Sequence, residues 1–383
     1  MVWIYGGGFQ FGSSNLPLYN GTNLAEQDVI VVTFNYRLRV FGFLGLAELD
    51  QQGTPSGDYG LQDQLTALRW VKENIAAYGG DPDNATIFGQ SAGAHSIGLL
   101  LASPLSAGLF HKAILESGAY WDKSLNNAAL WNASTDPSLK AFAPSIDNYV
   151  VPTVPAEVFN SGGAQKVPLL AGFTAAEEDA FLPQVIPHST PAQYDQSAKE
   201  AFGVKANAFL SLYPGDNDAQ ANQSALALLG DLVIREQTFE ALYRQYSANG
   251  QDVYAYYYTY NSSYSPVPIH TAEICFVWGN LGFNPLLGNT SPPTSTDVAF
   301  SKTLMAYWTG FAKTGNPNNV VTGLPNWPLY TGSGKSFLDL GQNIIGIANP
   351  DAARFHLLSK LRTNGTLPMS WRSRFTNNRA HCS

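Results

Sequence analysis

Cysteine is nearly absent from this chain, which has only Cys275 and Cys382 among its 383 residues. Two cysteines cannot form the disulfide framework of a small secreted scaffold, and their spacing does not match a metal-binding motif. We therefore expect Cys275 to be a buried thiol and Cys382 to be a thiol in the C-terminal tail. The cysteine pattern predicts no metal site.

Positive charge and long apolar runs are also scarce. The chain has 21 Lys and Arg against 29 Asp and Glu, which gives a net charge of −8 at pH 7. Such a balance lacks the basic footprint of a nucleic-acid-binding protein. No apolar run approaches the roughly 20 residues that a transmembrane helix needs. The opening residues MVWIYGGGF have no charged region and no cleavage pattern, so they do not resemble a signal peptide.

Hydrophobic residues make up 45% of the chain and aromatic residues 13%, which is enough for a large packed core. The sequence also contains seven Asn-x-Ser/Thr sequons, a frequency that leans towards a secreted glycoprotein. The sequons are at Asn20, Asn84, Asn132, Asn222, Asn261, Asn289 and Asn364.

Strand and helix patterns alternate along the chain. Short β-branched and aromatic runs predict strands, whereas apolar residues at every third or fourth position predict helices. The predicted strands are Val2–Tyr5, Asp28–Tyr36, Ala85–Gly89, Lys112–Ser117, Val167–Phe173 and Val253–Tyr260. The predicted helices are Asp58–Gly79, Ser91–Ser103, Ala219–Ala248 and Phe300–Thr314, and Trp121–Gly163 is predicted to be a loop. This alternation predicts an α/β fold in which helices cover both faces of a mostly parallel sheet. We expect one domain over residues 1–383.

The motif Gly89-Gln90-Ser91-Ala92-Gly93 lies where a predicted strand meets a predicted helix. It fits G-x-S-x-G, in which a sharp turn holds a serine in a strained conformation and lifts its hydroxyl above the sheet. Large side chains two positions from the serine would clash, and the following helix directs its positive N-terminus at the site. The alternative is an ordinary Gly/Ser turn, but the strand–turn–helix context favours a nucleophile.

A serine nucleophile needs donors for the developing oxyanion and a base to take its proton. The segment YGGGF (Tyr5–Phe9) follows a predicted strand and offers backbone N–H groups without obstructing side chains. A further N–H comes from Ala92, the residue after the serine.

Six histidines compete to be the base. The chain order nucleophile, acid, histidine of this motif disfavours His95 and His111. His381 lies in a polar tail, and His188 and His356 remain as surface candidates. A further candidate, His270, lies in a loop after a predicted strand, from which a side chain can reach over the sheet edge.

Several of these segments together resemble the type-B carboxylesterase/cholinesterase family of α/β-hydrolases. The motifs that carry the resemblance are VWIYGGGFQFGS, NYRLRVFGFLG, GDYGLQDQLTALRWVKENIAAYGGDPDNATIFGQSAGA, AILESGA and IHTAEICFVWGN. The similarity covers most of Met1–Tyr120 and returns around Val167–Pro183, His270–Asn280 and Phe300–Tyr330. It implies an α/β-hydrolase fold and hydrolysis of small-molecule or lipid carboxylic esters without a metal or cofactor.

The resemblance also implies site residues. Ser91 matches the family nucleophile and His270 the catalytic histidine. Glu177 matches the acid, although Glu178 stands where relatives have glycine, so a shift to Glu178 is the alternative. The positions that match the oxyanion hole are Gly7, Gly8 and Ala92.

The chain departs from the family pattern in four places. Tyr5 stands where many esterases have histidine, and Gln90 replaces the more frequent glutamate before the nucleophile. Relatives carry further strands before the glycine loop, so we expect N-terminal strands of the fold to be missing here. The chain is also shorter than relatives around Trp121–Pro144. These departures leave two alternatives to an active secreted esterase or lipase: a catalytically silent binding or adhesion relative, and an inactive fragment.

Overall fold

The computed structural model describes residues 1–50, 53–119, 142–180, 190–263, 265–282, 292–319 and 323–363. Several positions discussed above lie outside these ranges, and they are His188, His381, Cys382, Asn132, Asn289, Asn364 and the part of the predicted loop before residue 142.

An eight-stranded sheet forms the centre of the described structure. Its strands are β1 (Val2–Ile4), β2 (Val32–Thr33), β3 (Thr86–Gln90), β4 (Lys112–Glu116), β5 (Leu169–Thr174), β6 (Val253–Tyr258), β7 (Phe337–Leu340) and β8 (Ile345–Ile347). The spatial order is β2-β1-β3-β4-β5-β6-β7-β8. All neighbouring pairs are parallel except β7 and β8, which are antiparallel. The predicted α/β fold with a mostly parallel sheet is confirmed.

Helices occupy most of the connections between the strands. They are α1 (Thr22–Ala25), α2 (Arg39–Phe43), α3 (Ala47–Asp50), α4 (Tyr59–Asn74), α5 (Ala92–Ala102), α6 (Pro155–Asn160), α7 (Pro191–Phe202), α8 (Ala206–Leu212), α9 (Asp218–Gly230), α10 (Glu236–Ser247), α11 (Ile274–Trp278), α12 (Ser295–Thr314) and α13 (Ala352–Thr363). Within the described ranges, no helix combines the length and the apolar character that crossing a bilayer requires.

The central strands are buried along their whole length. Every residue of β3, β4 and β5 is buried, as expected for parallel strands that helices cover on both faces. The main hydrophobic core lies on both sides of this sheet, and a second, smaller core joins α7, α8, α9 and α13. Parallel strands all end at the same edge of the sheet, so the loops that follow β3, β4, β5 and β6 meet there.

The structure corrects three of the predicted elements. The predicted strand Asp28–Tyr36 is reduced to the two residues of β2, because this edge strand pairs with β1 at only two positions. The predicted helix Ala219–Ala248 is interrupted by a π-helical turn at Asp231–Arg235, between α9 and α10. The predicted loop Trp121–Gly163 contains a helix, α6. The single domain over residues 1–383 stays a prediction.

Candidate active site

The serine of the G-x-S-x-G motif lies at the turn between β3 and α5. Ser91 has φ of 56° and ψ of −122°, a strained left-handed conformation for a residue that is not glycine. Its N–H donates to the carbonyl of Glu116 at 2.9 Å, and its carbonyl accepts from the N–H of His95 at 2.8 Å. Ala92 is the first residue of α5, where a backbone N–H has no partner within the helix.

The glycines on either side of Ser91 are required by the neighbouring strand. A Cβ on Gly93 would lie 1.9 Å from the carbonyl oxygen of Ile4, and a Cβ on Gly89 would lie 2.5 Å from the same atom. Any side chain at these positions would push β1 away from β3. The tight turn therefore depends on close contact with the strand that precedes the glycine loop.

The glycine loop, Gly6–Gly8, follows β1 and lies directly against Ser91. A Cβ on Gly6 would be 3.0 Å from the Cβ of Ser91. Gly7 has φ of 117° and Gly8 has φ of 61°, and a Cβ on Gly7 would be 2.0 Å from the carbonyl oxygen of Phe11. Only glycine fits the path of the backbone at Gly7, and the loop lies beside the turn that carries Ser91.

The loops after β5 and β6 bring Glu177 and His270 together. Oε2 of Glu177 is 2.5 Å from Nδ1 of His270, and Oε1 accepts from the N–H of Thr174 at 2.6 Å. Both side chains are buried. The two loops are themselves paired, because the N–H of Ala176 donates to the carbonyl of Pro268 at 3.1 Å. This backbone contact fixes the position of one loop relative to the other and so supports the pairing of Glu177 with His270.

The environment of Glu177 favours its ionised form. Burial by itself raises the pKa of this carboxyl, but the positive charge that His270 can carry and the hydrogen bonds from His270 and Thr174 lower the pKa below its usual value. An ionised Glu177 keeps the proton of His270 on Nδ1 and leaves Nε2 with a lone pair.

The neighbouring Glu178 has a different partner. Its carboxylate pairs with the guanidinium of Arg235, which lies in the π-helical turn and is 2% exposed. Arg235 also donates to the carbonyl of Ala175 at 3.0 Å and pairs with Asp231 at 2.8 Å. Burial alone would lower the pKa of Arg235, but the carboxylates of Asp231 and Glu178 raise it above its usual value. Arg235 therefore anchors the loop that carries Glu177, and Glu178 does not face His270.

The side chain of Gln90 reaches His270 from the end of β3. Its amide nitrogen is 3.0 Å from Nε2 of His270 and 3.5 Å from Nδ1. A Cβ on Gly6 would lie 3.0 Å from the amide oxygen of Gln90. The Gln90 amide therefore lies between the glycine loop and the imidazole ring, a contact that the sequence did not indicate.

Two further glutamates lie buried beneath the pair. Glu273 accepts hydrogen bonds from the hydroxyls of Ser117, at 3.1 Å, and Tyr256, at 3.3 Å. Glu116, the last residue of β4, accepts from the indole N–H of Trp308 at 2.6 Å. In the sequence, Glu116 appeared only as the polar end of a strand and Glu273 only as part of the IHTAEICFVWGN motif, so their burial was not anticipated.

The pKa values of these two carboxyls are raised. Burial, followed by the negative charge of Glu177, raises the pKa of Glu273 from 4.5 to about 7. Burial, followed by the charge of Glu273, raises the pKa of Glu116 well above its usual value. Glu116 and Glu273, which form the floor of the site, therefore keep their protons to a higher pH than exposed glutamates do, whereas Glu177 is ionised.

The other histidines of the described ranges lie elsewhere. His95 is on α5 one turn after Ser91, and His111 accepts from the N–H of Ala85 at 3.2 Å. His356 is an exposed residue of α13 that packs edge-on against Phe239. Cys275 is buried, as expected, and its thiol is 3.6 Å from the carbonyl of Ala272.

A family model described as the carboxylesterase family matches residues 1–136 and 122–355. The chain is 34% identical over 374 residues to fumonisin B1 esterase of Sphingopyxis macrogoltabida. The aligned region covers 88% of this chain and 68% of that protein. It is also 34% identical over 396 residues to para-nitrobenzyl esterase of Bacillus subtilis, and this alignment covers 92% of the chain and 78% of the relative. Liver carboxylesterase of Sus scrofa is 31% identical over 411 residues, and this alignment covers 90% of the chain and 70% of the relative.

Solved structures agree with these relatives. A structure titled PNB esterase superposes with a TM-score of 0.75 at 32% identity and covers 93% of this chain and 80% of its own. A thermophilic PNB esterase superposes with a TM-score of 0.77 at 32% identity, and the match covers 93% of this chain and 79% of that one. The three relatives and two structures described above are esterases, which does not favour a silent binding protein. The chain belongs to the carboxylesterase family of α/β-hydrolases and is a carboxylic ester hydrolase.

Proposed function

We propose that the chain hydrolyses carboxylic esters through an acyl-enzyme on Ser91, with His270 as the base and Glu177 as the acid that orients it. The observation that carries this proposal is the contact of 2.5 Å between Nδ1 of His270 and Oε2 of Glu177, in loops at the same sheet edge as the strained Ser91. Nucleophile, base and orienting acid are the parts that serine acyl transfer requires.

In the first half of the reaction, Oγ of Ser91 attacks the ester carbonyl carbon and its proton moves to Nε2 of His270. The carbonyl oxygen becomes an oxyanion, which accepts hydrogen bonds from the N–H groups of Gly7, Gly8 and Ala92. The C–O bond to the alcohol then breaks, and the departing oxygen takes the proton from Nε2. The alcohol leaves and the acyl group stays on Ser91.

In the second half, water attacks the acyl carbon while its proton moves to Nε2 of His270. Collapse of the second tetrahedral intermediate breaks the bond to Oγ, which recovers the proton from His270, and the carboxylic acid leaves. Throughout, the ionised Glu177 stabilises the imidazolium that forms twice per turnover.

The substrate class includes small-molecule esters and, in our proposal, lipid esters. A series of p-nitrophenyl esters of rising acyl length separates the two. A maximum of kcat/KM at acetate or butyrate indicates a short-chain esterase, whereas a rise towards long acyl chains supports a lipase.

The decisive variant is Ser91→Ala. We expect it to lower kcat by at least about 10⁴-fold, because no other group replaces the nucleophile. Ser161→Ala is a matched control, since Ser161 is exposed and follows α6. If Ser91→Ala and the wild type hydrolyse the esters equally slowly, this chain is instead the silent relative or an inactive fragment.

We also propose that the protein is a secreted glycoprotein. Among the sequons in the described ranges, Asn20, Asn84 and Asn261 are exposed, and Asn222 is half-buried. The amide nitrogen of Asn84, to which a glycan would be attached, donates to the carbonyl of Lys313 at 3.3 Å. After expression through a eukaryotic secretory pathway, peptide mapping is expected to find glycans at Asn20 and Asn261. Absence of glycan at both positions would contradict this localisation.

A further inference from the structure

The contact between Gln90 and His270 involves the ring atom that, in the proposed function, accepts the serine proton. Because Glu177 holds the Nδ1 proton, Nε2 carries the lone pair of the neutral ring. The amide nitrogen of Gln90 lies 3.0 Å from this atom and is a donor only. The resting site thus satisfies Nε2 with an N–H from the residue just before the nucleophile.

The interaction between the Gln90 amide and Nε2 turns from attractive to repulsive when His270 becomes protonated. An imidazolium carries a proton on Nε2, and two N–H groups that face each other repel. The amide oxygen cannot take over without a rotation of the Gln90 side chain, and that oxygen already lies near the backbone of Gly6. The contact therefore stabilises the neutral ring over the charged ring, and the Gln90 amide must move off Nε2 when the proton of Ser91 is transferred to that atom.

We propose that Gln90 is a positioning residue that holds the imidazole of His270 neutral in the resting enzyme and so extends its activity to more acidic pH. The inference rests on the proposed function, in which neutral His270 is the base. A glutamate at this position would do the opposite, because a carboxylate attracts the imidazolium.

The other ionisable groups around His270 are the same in every variant of residue 90. Glu177 faces Nδ1 from the loop after β5, and Glu273 lies in the turn that follows His270 itself. Glu116 at the end of β4 and Tyr256 on β6 form the floor together with Glu273. Glu178 is turned towards Arg235. A change at residue 90 is therefore the only change in charge next to Nε2.

The test compares the pH dependence of kcat/KM for the wild type, Gln90→Glu and Gln90→Ala. A carboxylate within about 4–6 Å of an imidazole stabilises the charged form by 1–3 pH units. We expect Gln90→Glu to move the acid limb of the profile upward by at least about one unit, which is a tenfold loss of relative kcat/KM at pH values below the limb. Gln90→Ala, which removes the donor without adding charge, is expected to shift the limb upward by less.

Gln64→Glu is the matched control. Gln64 is a fully buried glutamine on α4 that donates to Ser96 at 3.0 Å, so it tests the burial of a carboxylate away from His270. We expect it to leave the acid limb in place. Thermal unfolding of each variant identifies any that fail to fold.

Titration of the His270 ring by NMR, assigned with a His270→Asn variant, reads the same effect without turnover. Because an added carboxylate raises the ring titration by itself, Gln90→Ala is the deciding variant. An unchanged or lowered ring titration in folded Gln90→Ala overturns the role of Gln90. If Ser91→Ala keeps full activity, the proposed function fails instead, whatever the result for Gln90.

Discussion

Replacement of Glu273 by glutamine tests whether this buried carboxyl holds its proton more tightly in the folded protein than in the unfolded chain. Glu273 is fully buried, and its pKa is raised from 4.5 to about 7, first by burial and then by the charge of Glu177. The folded protein therefore binds one more proton than the unfolded chain between these two pH values. This contribution to stability is complete below about pH 4.5 and is lost as the pH rises through about 7. The shift corresponds to about 3 kcal/mol.

Glutamine keeps the shape of Glu273 and can still accept from Ser117 and Tyr256, but it cannot ionise. We therefore expect the free energy of unfolding of Glu273→Gln, relative to the wild type, to increase by about 3 kcal/mol between pH 4.5 and pH 8. Urea denaturation followed by tryptophan fluorescence at several pH values measures this difference.

The matched control is Glu26→Gln, which removes an exposed carboxyl on the C-terminal side of α1. Its stability relative to the wild type is expected to stay nearly constant over the same pH range. A flat difference for Glu273→Gln would refute the reasoning, because it would mean that Glu273 ionises equally in the folded and unfolded chains. A fall in the relative stability of Glu273→Gln towards alkaline pH would refute it as well.

Three other substitutions test separate parts of the site. Gly93→Ala places a Cβ 1.9 Å from the carbonyl of Ile4, so we expect a loss of at least about 1–3 kcal/mol in the free energy of unfolding, measured by urea denaturation. Glu177→Gln is expected to lower kcat by about 10⁴-fold with little change in KM, because it removes the charge that fixes the histidine tautomer, and steady-state kinetics check this. Arg235→Met removes the partner of the partly buried Glu178 and one of the two cations that pair with the buried Asp231, so it is expected to cost about 3 kcal/mol in urea denaturation. Arg244→Met, at a partly exposed pair, should cost less than about 1 kcal/mol.

The parts of the site that follow from local sequence could be predicted. The turn around Ser91 can be recognised from residues adjacent in the chain, because the β-branched run before it and the apolar run after it show the strand and the helix. His270 was separated from His188 and His356 only by its place after a strand and by the family resemblance. The structure adds the distance that joins His270 to Glu177 rather than to Glu178.

The burial of Glu116 and Glu273, and the role of Arg235 in anchoring the loop that carries Glu177, could not be predicted, for a physical reason. Arg235 lies in a run of helical residues, where a charged side chain normally faces solvent, yet tertiary packing buries it with two carboxylates. Glu116 ends an apolar strand, and its burial depends on Trp308, which is far away in the chain. Strands β7 and β8 were missed as well, because short strands at a sheet edge have little periodicity to detect.

Covalent labelling tests the central claim, that Ser91 is the nucleophile activated by the Glu177–His270 pair. The folded protein is treated with a fluorophosphonate, which reacts with activated serines, and the product is mapped by mass spectrometry of its peptides. We predict one equivalent of label on the peptide that contains Ser91, none in Ser91→Ala, and much slower labelling in Glu177→Gln. Label on a different residue, or ester hydrolysis that continues while Ser91 stays unlabelled, would contradict the claim.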